Sequence, residues 1–358
     1  MIVILRQPSC KPGVCPPTLR STTPYQPRRE ASGVRVLVIG GTAFLSRAVA
    51  EIALARGHEV VCLTRGTSGD PPPGATHVRV DWSVPDPDPQ LRGTFDAVID
   101  VARRPYRGVR LLTDRMYDRA GHWTFVSTCL VYRDRSTPGA TTDAELIAPD
   151  GGGPYAPSKL ASEQAVRLRF GTRALIVRPG LIAGWGDPSD RFGYWPERLA
   201  RGGTVLAPGR PEDLIQWIDV RDLAEWLVES AERRRSGTFD AVGTPVGIGS
   251  ALGSMAAALD VPSELVWVPQ EFLHSAGVVP WSGQDSLPLW VRRPDDAGLM
   301  ARDPLPTLNN GLRLRALADT ARAALAWERA LGSHRERKSG LSPARERAVL
   351  DLWRAGAR

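Results

Sequence analysis

The sequence predicts an α/β chain built on a doubly wound parallel sheet, with a smaller C-terminal lobe. Three observations predict it. Residues 34–65 (VRVLVIGGTAFLSRAVAEIALARGHEVVCLTR) read as strand, tight turn, amphipathic helix and second strand. Short apolar runs then alternate with helical stretches as far as Val242, the pattern of parallel strands joined by crossover helices. The 358 residues, 42% hydrophobic and 24% charged, suit one large domain or two lobes.

The opening unit carries the first chemistry. Val34 to Ile39 holds five apolar residues in six, the mark of a strand buried on both faces. Gly40-Gly41-Thr42 makes a tight turn. Phe44 to Arg56 is a helix with Leu45, Val49, Ile52, Ala53 and Leu54 on its apolar side, and Gly57 ends it. Glu59 to Leu63 returns as a strand. A turn that meets a helix N-terminus in such a unit holds a pyrophosphate on free N–H groups. Gly40, Thr42, Ala43, Phe44 and Leu45 are therefore candidate cofactor contacts. Aligned as G-x-x-G-x-x-G, the three positions hold Gly40, Ala43 and Ser46. Ala43 adds a methyl where backbone approaches phosphate, and an ordinary strand-turn-helix crossover is the competing reading.

After the second strand comes Thr64-Arg65-Gly66. An acid here would bind a ribose 2′-hydroxyl; a guanidinium suits a 2′-phosphate, so Arg65 favours NADP(H) over NAD(H). A plain surface arginine is the alternative. His77 to Asp81 reads as a third strand. Asp81, followed by Trp82, either accepts from an adenine amino group or opens the turn before Pro85. Phe95 to Ala102 is a fourth strand, whose small Ala102 lets a cofactor pass close. His122 to Val126 is a fifth and runs into Ser127-Thr128-Cys129-Leu130-Val131-Tyr132.

A loop rich in Gly, Pro, Thr and Asp leads to Tyr155-Ala156-Pro157-Ser158-Lys159 and a helix to Phe170. Tyr155 and Lys159 are four apart and share a face. An ammonium there favours the phenolate and brings the tyrosine toward working pH. Thr128 is placed to hydrogen-bond a substrate oxygen. Of three lysines in the chain, Lys11 and Lys338 lie in the tails, so the single lysine of the body follows a tyrosine by one turn. A solvated helix face is the bland alternative.

These pieces resemble an extended short-chain dehydrogenase/reductase of the NAD-dependent epimerase/dehydratase type. The resemblance rests on Gly40 to Leu45, Ser127-Thr128-x-x-Val131-Tyr132, Tyr155-x-x-x-Lys159, Arg178-Pro179-Gly180-Leu181-Ile182 and Ile218 to Ala224. It covers roughly residues 34–312 and implies a Rossmann sheet. It also implies Thr128 as the triad hydroxyl, Tyr155 as acid/base, Lys159 as its tuner and a ribose ligand, and Pro179 and Ile182 beside the nicotinamide. A homodimer is its default. The departures are Ala43, Ser46, Asp100 where many members have His, and Leu112-Thr113-Asp114-Arg115 in place of an Asn-bearing helix segment; the last puts a nucleotide-sugar substrate in doubt.

The remaining organisation follows. Residues 1–33 hold six prolines from Pro8 to Pro27 without an apolar period and read as a disordered extension. Residues 34–185 form the dinucleotide-binding part, with 215–242 returning to it. Residues 186–214 and 243–312 form the substrate lobe, and 313–358 the C-terminal helices. In the lobe Arg191 could hold an anionic or carbonyl group, while Tyr194 and Trp195 either pack a substrate ring or fill the core. The stretch 261–311 is rich in Pro and Trp and does not parse into elements.

Charge and cysteines narrow the classes. The net charge of +7 sits in the two ends, which read as solvated, and the body is slightly acidic. Without an aromatic-rich strand motif a nucleic-acid partner is disfavoured. No apolar run reaches the roughly 20 residues that span a bilayer, no metal-ligand spacing occurs, and four cysteines suit reduced thiols and a cytoplasmic setting. The expected activity is NAD(P)-dependent oxidoreduction of a hydroxyl or carbonyl on a small molecule. Two readings stay open: epimerisation of a sugar or sugar nucleotide by transient oxidation, and a non-catalytic nucleotide-sensing or RNA-associated protein on the same fold.

Overall fold

The computed structural model describes residues 33–80, 91, 93–101, 105–332 and 335–356. The expected disordered extension (save Gly33), Asp81, Trp82 and Ala102 lie outside these residues. Among the described residues the central sheet has seven strands. They are β1 (Arg35–Ile39), β2 (Glu59–Thr64), β3 (Thr76–Arg79), β4 (Ala97–Asp100), β5 (Trp123–Val126), β6 (Ala174–Pro179) and β7 (Gly237–Ala241). Their order is β7-β6-β5-β4-β1-β2-β3, with every pairing parallel. The chain winds outward one way from β1 to β3 and the other way from β4 to β7. The crevice between β1 and β4 is thus the switch point where such sheets bind ligands.

Burial explains the order. Along β1, Val36 and Val38 pack on one face while Leu37 and Ile39 pack on the other, all at most 1% exposed. The first face is covered by α1 (Phe44–Ala55) and the second by α2 (Tyr106–Met116) and α3 (Tyr155–Phe170). In the lobe, α4 (Arg191–Leu199) is followed by α5 (Val220–Glu232), which goes back to the sheet and packs on α1. Asp219 caps α5 by accepting from Arg221 N at 2.8 Å, as its position before the helix predicts. The fourth strand is shorter than expected: Phe95 makes only an isolated bridge to Ala120 before the regular ladder.

The lobe has its own core. Helices α4, α6 (Ile248–Leu259) and α7 (Leu317–Leu331) pack with two parallel strands, Gly203–Pro208 and Ser263–Val268. The final helix α8 (Pro343–Gly356) adds Val349 and Leu350 to the same cluster. Buried Glu346 of α8 meets Arg198 of α4 at 2.5 Å and accepts from Leu206 N. The basic C-terminal region is therefore only partly solvated. Arg335 and Arg337 hold buried Glu328, Arg335 also clasps Asp190, and Arg315 meets Asp222 at 2.5 Å. No helix among the described residues is long and apolar enough to cross a membrane.

His122, just ahead of β5, is fully buried. Its Nε2 lies 2.7 Å from Arg235 O; a carbonyl only accepts, so Nε2 carries the proton and donates. Burial holds its pKa down at about 4, against the partial opposition of that hydrogen bond. The unfolded chain binds a proton near pH 6.5 that the folded chain refuses, so stability falls as pH drops from about 6.5 to 4. We expect a loss of about 2 kcal/mol between pH 7 and pH 5 from this residue. Urea unfolding at the two pH values checks it: His122→Asn should flatten that part of the slope, and an unchanged slope would remove His122 as its source.

Candidate active site

A cleft of about 580 Å³ lies over the carboxyl ends of β1, β2, β5 and β6, within the ~300–1,000 Å³ usual for small-molecule sites. Its floor is the turn after β1. Gly40 and Gly41 have φ of +112° and +110°, and a Cβ on Gly41 would lie 2.4 Å from Cys62 Sγ. Both positions demand glycine. Ala43 does not: its φ of −143° is open to any residue. The strained residue is Phe44, at φ +43°, a departure that costs about 1–3 kcal/mol and gathers at functional sites. Ser46 sits under Gly40 and donates to Ala43 O at 2.8 Å. Helix α1 starts with no side-chain cap and no acid in its first turn. Its first N–H groups therefore face the cleft unopposed by negative charge, which fits a pyrophosphate. The replaced glycines leave this cradle intact.

At one end of the cleft stand Arg65, Gly66, Thr67 and Ser68. Thr64 Oγ1 shares a 2.8 Å hydrogen bond with His77 Nε2 and accepts from Gly66 N at 2.9 Å, which shapes this loop. At the other end, Thr128, Tyr155 and Lys159 line the same cleft. Thr128 follows β5 and its Oγ1 accepts from Leu130 N at 3.2 Å, starting a tight turn over Cys129–Val131. Lys159 is buried. It donates from Nζ to Val126 O at 2.8 Å and lies 4.7 Å from the Phe125 ring centre. Tyr155, the first residue of α3, is 42% exposed. Pro179 and Ile182, leaving β6, form the wall between the two ends.

The lobe closes the cleft with residues the sequence only partly indicated. Arg191 reaches it, beside Pro188, Trp281, Leu299 and Met300. Trp281, Leu299 and Met300 come from the stretch rich in Pro and Trp that carries no readable period, where the tryptophans read as pocket or core and nothing singles out Leu299 or Met300. Tyr194 and Trp195 are a correction. They are 1% and 0% exposed and belong to the lobe core. Trp195 donates to Pro288 O at 2.7 Å, and Tyr194 packs its ring against Gly340. Helix α4 enters the core directly after Arg191, and two large aromatics are better buried there than at a wet wall.

A family model described as the NAD dependent epimerase/dehydratase family matches residues 36–242, more than half of the chain. The chain belongs to that family. Among curated relatives, the human protein called Epimerase family protein SDR39U1 is 28% identical over 222 residues, 56% of this chain and 71% of that protein. A dTDP-6-deoxy-L-talose 4-dehydrogenase (NAD(P)(+)) of Kitasatospora kifunensis is 27% identical over 264 residues, 66% of this chain and 82% of that enzyme. Two solved structures share the fold. The Bordetella bronchiseptica enzyme WbmH in complex with NAD+ has TM-score 0.62 at 21% identity, covering 84% of this chain and 100% of that one. The UDP-N-acetylglucosamine 4-epimerase of Bacillus cereus has TM-score 0.64 at 15% identity, covering 86% and 100%.

In this member of the epimerase/dehydratase family α3 is fixed by a buried charge network. Glu163, one turn after Lys159, receives two hydrogen bonds from Arg178, at 3.0 and 2.7 Å. Arg178 also donates to the Tyr132 hydroxyl at 2.9 Å, which donates in turn to Asp240 at 2.7 Å. Arg302 meets the other Asp240 oxygen at 2.5 Å and lies over the Tyr132 ring. Burial alone would lower the Arg178 pKa; the bonds to Glu163 and its charge more than offset that and raise it. Removing one member of such a pair strands the other and costs about 3–5 kcal/mol. Arg178→Met should lower unfolding stability in urea by that amount. The double variant with Glu163→Leu should lose less than the two single losses added together; strict additivity would show that the pair is not coupled.

Proposed function

We propose that the chain is an NAD(P)-dependent oxidoreductase acting on a hydroxyl or carbonyl group of a small molecule, with Tyr155 as the acid/base. One observation carries this reading: the phosphate-cradle turn, Thr128, Tyr155 and Lys159 all line a single cleft at the switch point of the sheet. Bound across the turn, a nicotinamide dinucleotide would supply a hydride donor or acceptor. Gly40, Thr42, Ala43, Phe44 and Leu45 would hold its pyrophosphate, and Pro179 and Ile182 its far end. Tyr155 would give a proton to the substrate oxygen in reduction and take it in oxidation. Thr128 would hydrogen-bond the same oxygen and polarise it. Lys159, pinned at Val126 O, would place its positive charge behind Tyr155.

NADP(H) is favoured by Arg65, whose exposed side chain lines the cleft together with Thr67 and Ser68, a set of groups suited to a 2′-phosphate. The names of the relatives support a nicotinamide cofactor but speak to either form. Transient oxidation followed by re-reduction, as an epimerase would need, uses the same groups; net loss of NADPH absorbance with product formation separates the two.

Titrating the protein with NADPH and NADH, followed by quenching of tryptophan emission, should give tighter binding of NADPH. Arg65→Ala should remove that preference, and equal affinities in the parent would take the role from Arg65. In turnover, Tyr155→Phe should lose about 10²–10⁴-fold in kcat while NADPH affinity holds. Turnover that survives the change would rule Tyr155 out as the acid/base.

A further inference from the structure

Four interior arginines of this chain meet carboxylates, while half-buried Arg119 and Arg173 donate to backbone carbonyls. Arg178 has Glu163 at 2.7 Å, Arg198 has Glu346 at 2.5 Å, Arg302 has Asp240 at 2.5 Å and Arg335 has Asp190 at 2.7 Å. Arg191 breaks the pattern. Among the described residues no carboxylate lies within 4.0 Å of it. Its Nε donates to Ser189 Oγ at 3.1 Å, and its guanidinium carbon lies 4.7 Å from the centre of the Trp281 ring. The two terminal nitrogens make no hydrogen bond among the described residues and belong to a side chain that lines the cleft.

This is a poor use of a charge unless something else meets it. Arg191 is half-buried, so its charge is only partly hydrated, and stacking on an aromatic face repays only part of that loss. Asp187, whose charge acts on Arg191, lies beyond 4.0 Å and does not close the gap. Its Oδ1 accepts from Ser189 N at 2.9 Å, and its Oδ2 has no hydrogen-bond partner. Burial lowers the Arg191 pKa, and the charges that oppose this are Asp187 and Tyr155, which places the guanidinium in the electrostatic neighbourhood of the tyrosine. Trp281 covers one face of the planar group and leaves its edge for a two-oxygen acceptor.

We propose that Arg191 and Trp281 form the acid-binding subsite of the substrate, so that the cleft takes a small carboxylate-bearing hydroxy or oxo compound. The carboxylate would rest on the edge of the guanidinium while the hydroxyl or carbonyl turns to Tyr155. A monoanion suits the site better than a phosphate dianion. Among the described residues the other cation at this end of the cleft is Lys159, which is already bonded to Val126 O, and Arg65 stands at the opposite end. Leu130, Pro188, Leu299 and Met300 give the body of such a substrate an apolar wall. The proposal rests on the reading of Tyr155 as the acid/base.

Binding of benzoate and of its neutral isostere benzamide, measured by calorimetry with and without NADPH, tests the subsite apart from turnover. Benzoate should bind the parent protein at least about tenfold more tightly than benzamide. Arg191→Gln should remove the preference, Arg191→Lys should restore part of it, and Tyr155→Phe should keep it while turnover is lost. Equal affinities in the parent, or a preference that survives Arg191→Gln in a protein of unchanged circular dichroism, would overturn the proposal. A preference without NADPH binding would uphold the subsite and sink the redox reading instead.

Discussion

The bidentate pair between Arg178 and Glu163 lies where three elements of the site meet. Glu163 belongs to α3, whose first turns carry Tyr155 and Lys159. Arg178 is the penultimate residue of β6, whose exit forms the wall of the cleft. Through Tyr132 the same arginine reaches the turn that begins at Thr128, and through Asp240 and Arg302 it reaches β7 and a segment of the lobe. Every member is buried. A charged network in that setting tolerates little displacement, because each lost bond leaves a desolvated ion. The relative positions of hydroxyl, phenol and ammonium in the cleft therefore depend on a pair that touches none of them.

A second set of charges ties the lobe together. Asp190, in a left-handed backbone conformation just ahead of α4, accepts two hydrogen bonds from Arg335 and one from Lys338 N. Glu328 of α7 is held by Arg335 and Arg337. Arg335, Arg337 and Lys338, ahead of α8, are thus fastened to the residue beside Arg191. The excess of positive charge at the C-terminal end serves partly as internal counter-ions to buried acids.

Much of the fold was legible because its signals are local. The alternation of β1, the glycines at positive φ after it, the cap at Asp219 and the spacing of Tyr155 and Lys159 are all decided by neighbours within a few residues. The imperfect fingerprint is instructive. Ala43 looked like an obstacle by alignment, yet its backbone is ordinary and the unusual conformation falls on Phe44. A motif written in residue letters does not say which position carries the strain. Arg191 and Tyr194 are neighbours in sequence, and only the direction of α4 into the lobe separates a cleft residue from a core residue.

By itself, the sequence determined the strand-turn-helix order, the parallel class of the sheet and the residue types of the cleft, since each follows from local periodicity, turn chemistry and capping. Tertiary structure alone decided which charges are paired. Arg178 finds Glu163 across 15 residues, Arg198 finds Glu346 across 148 and Arg335 finds Asp190 across 145, whereas Arg191 finds none among the described residues. No local pattern encodes such partners, because an ion pair depends on distance in space and on the water excluded around it. The same holds for Trp281, Leu299 and Met300, which reach the cleft only when the lobe folds over the sheet.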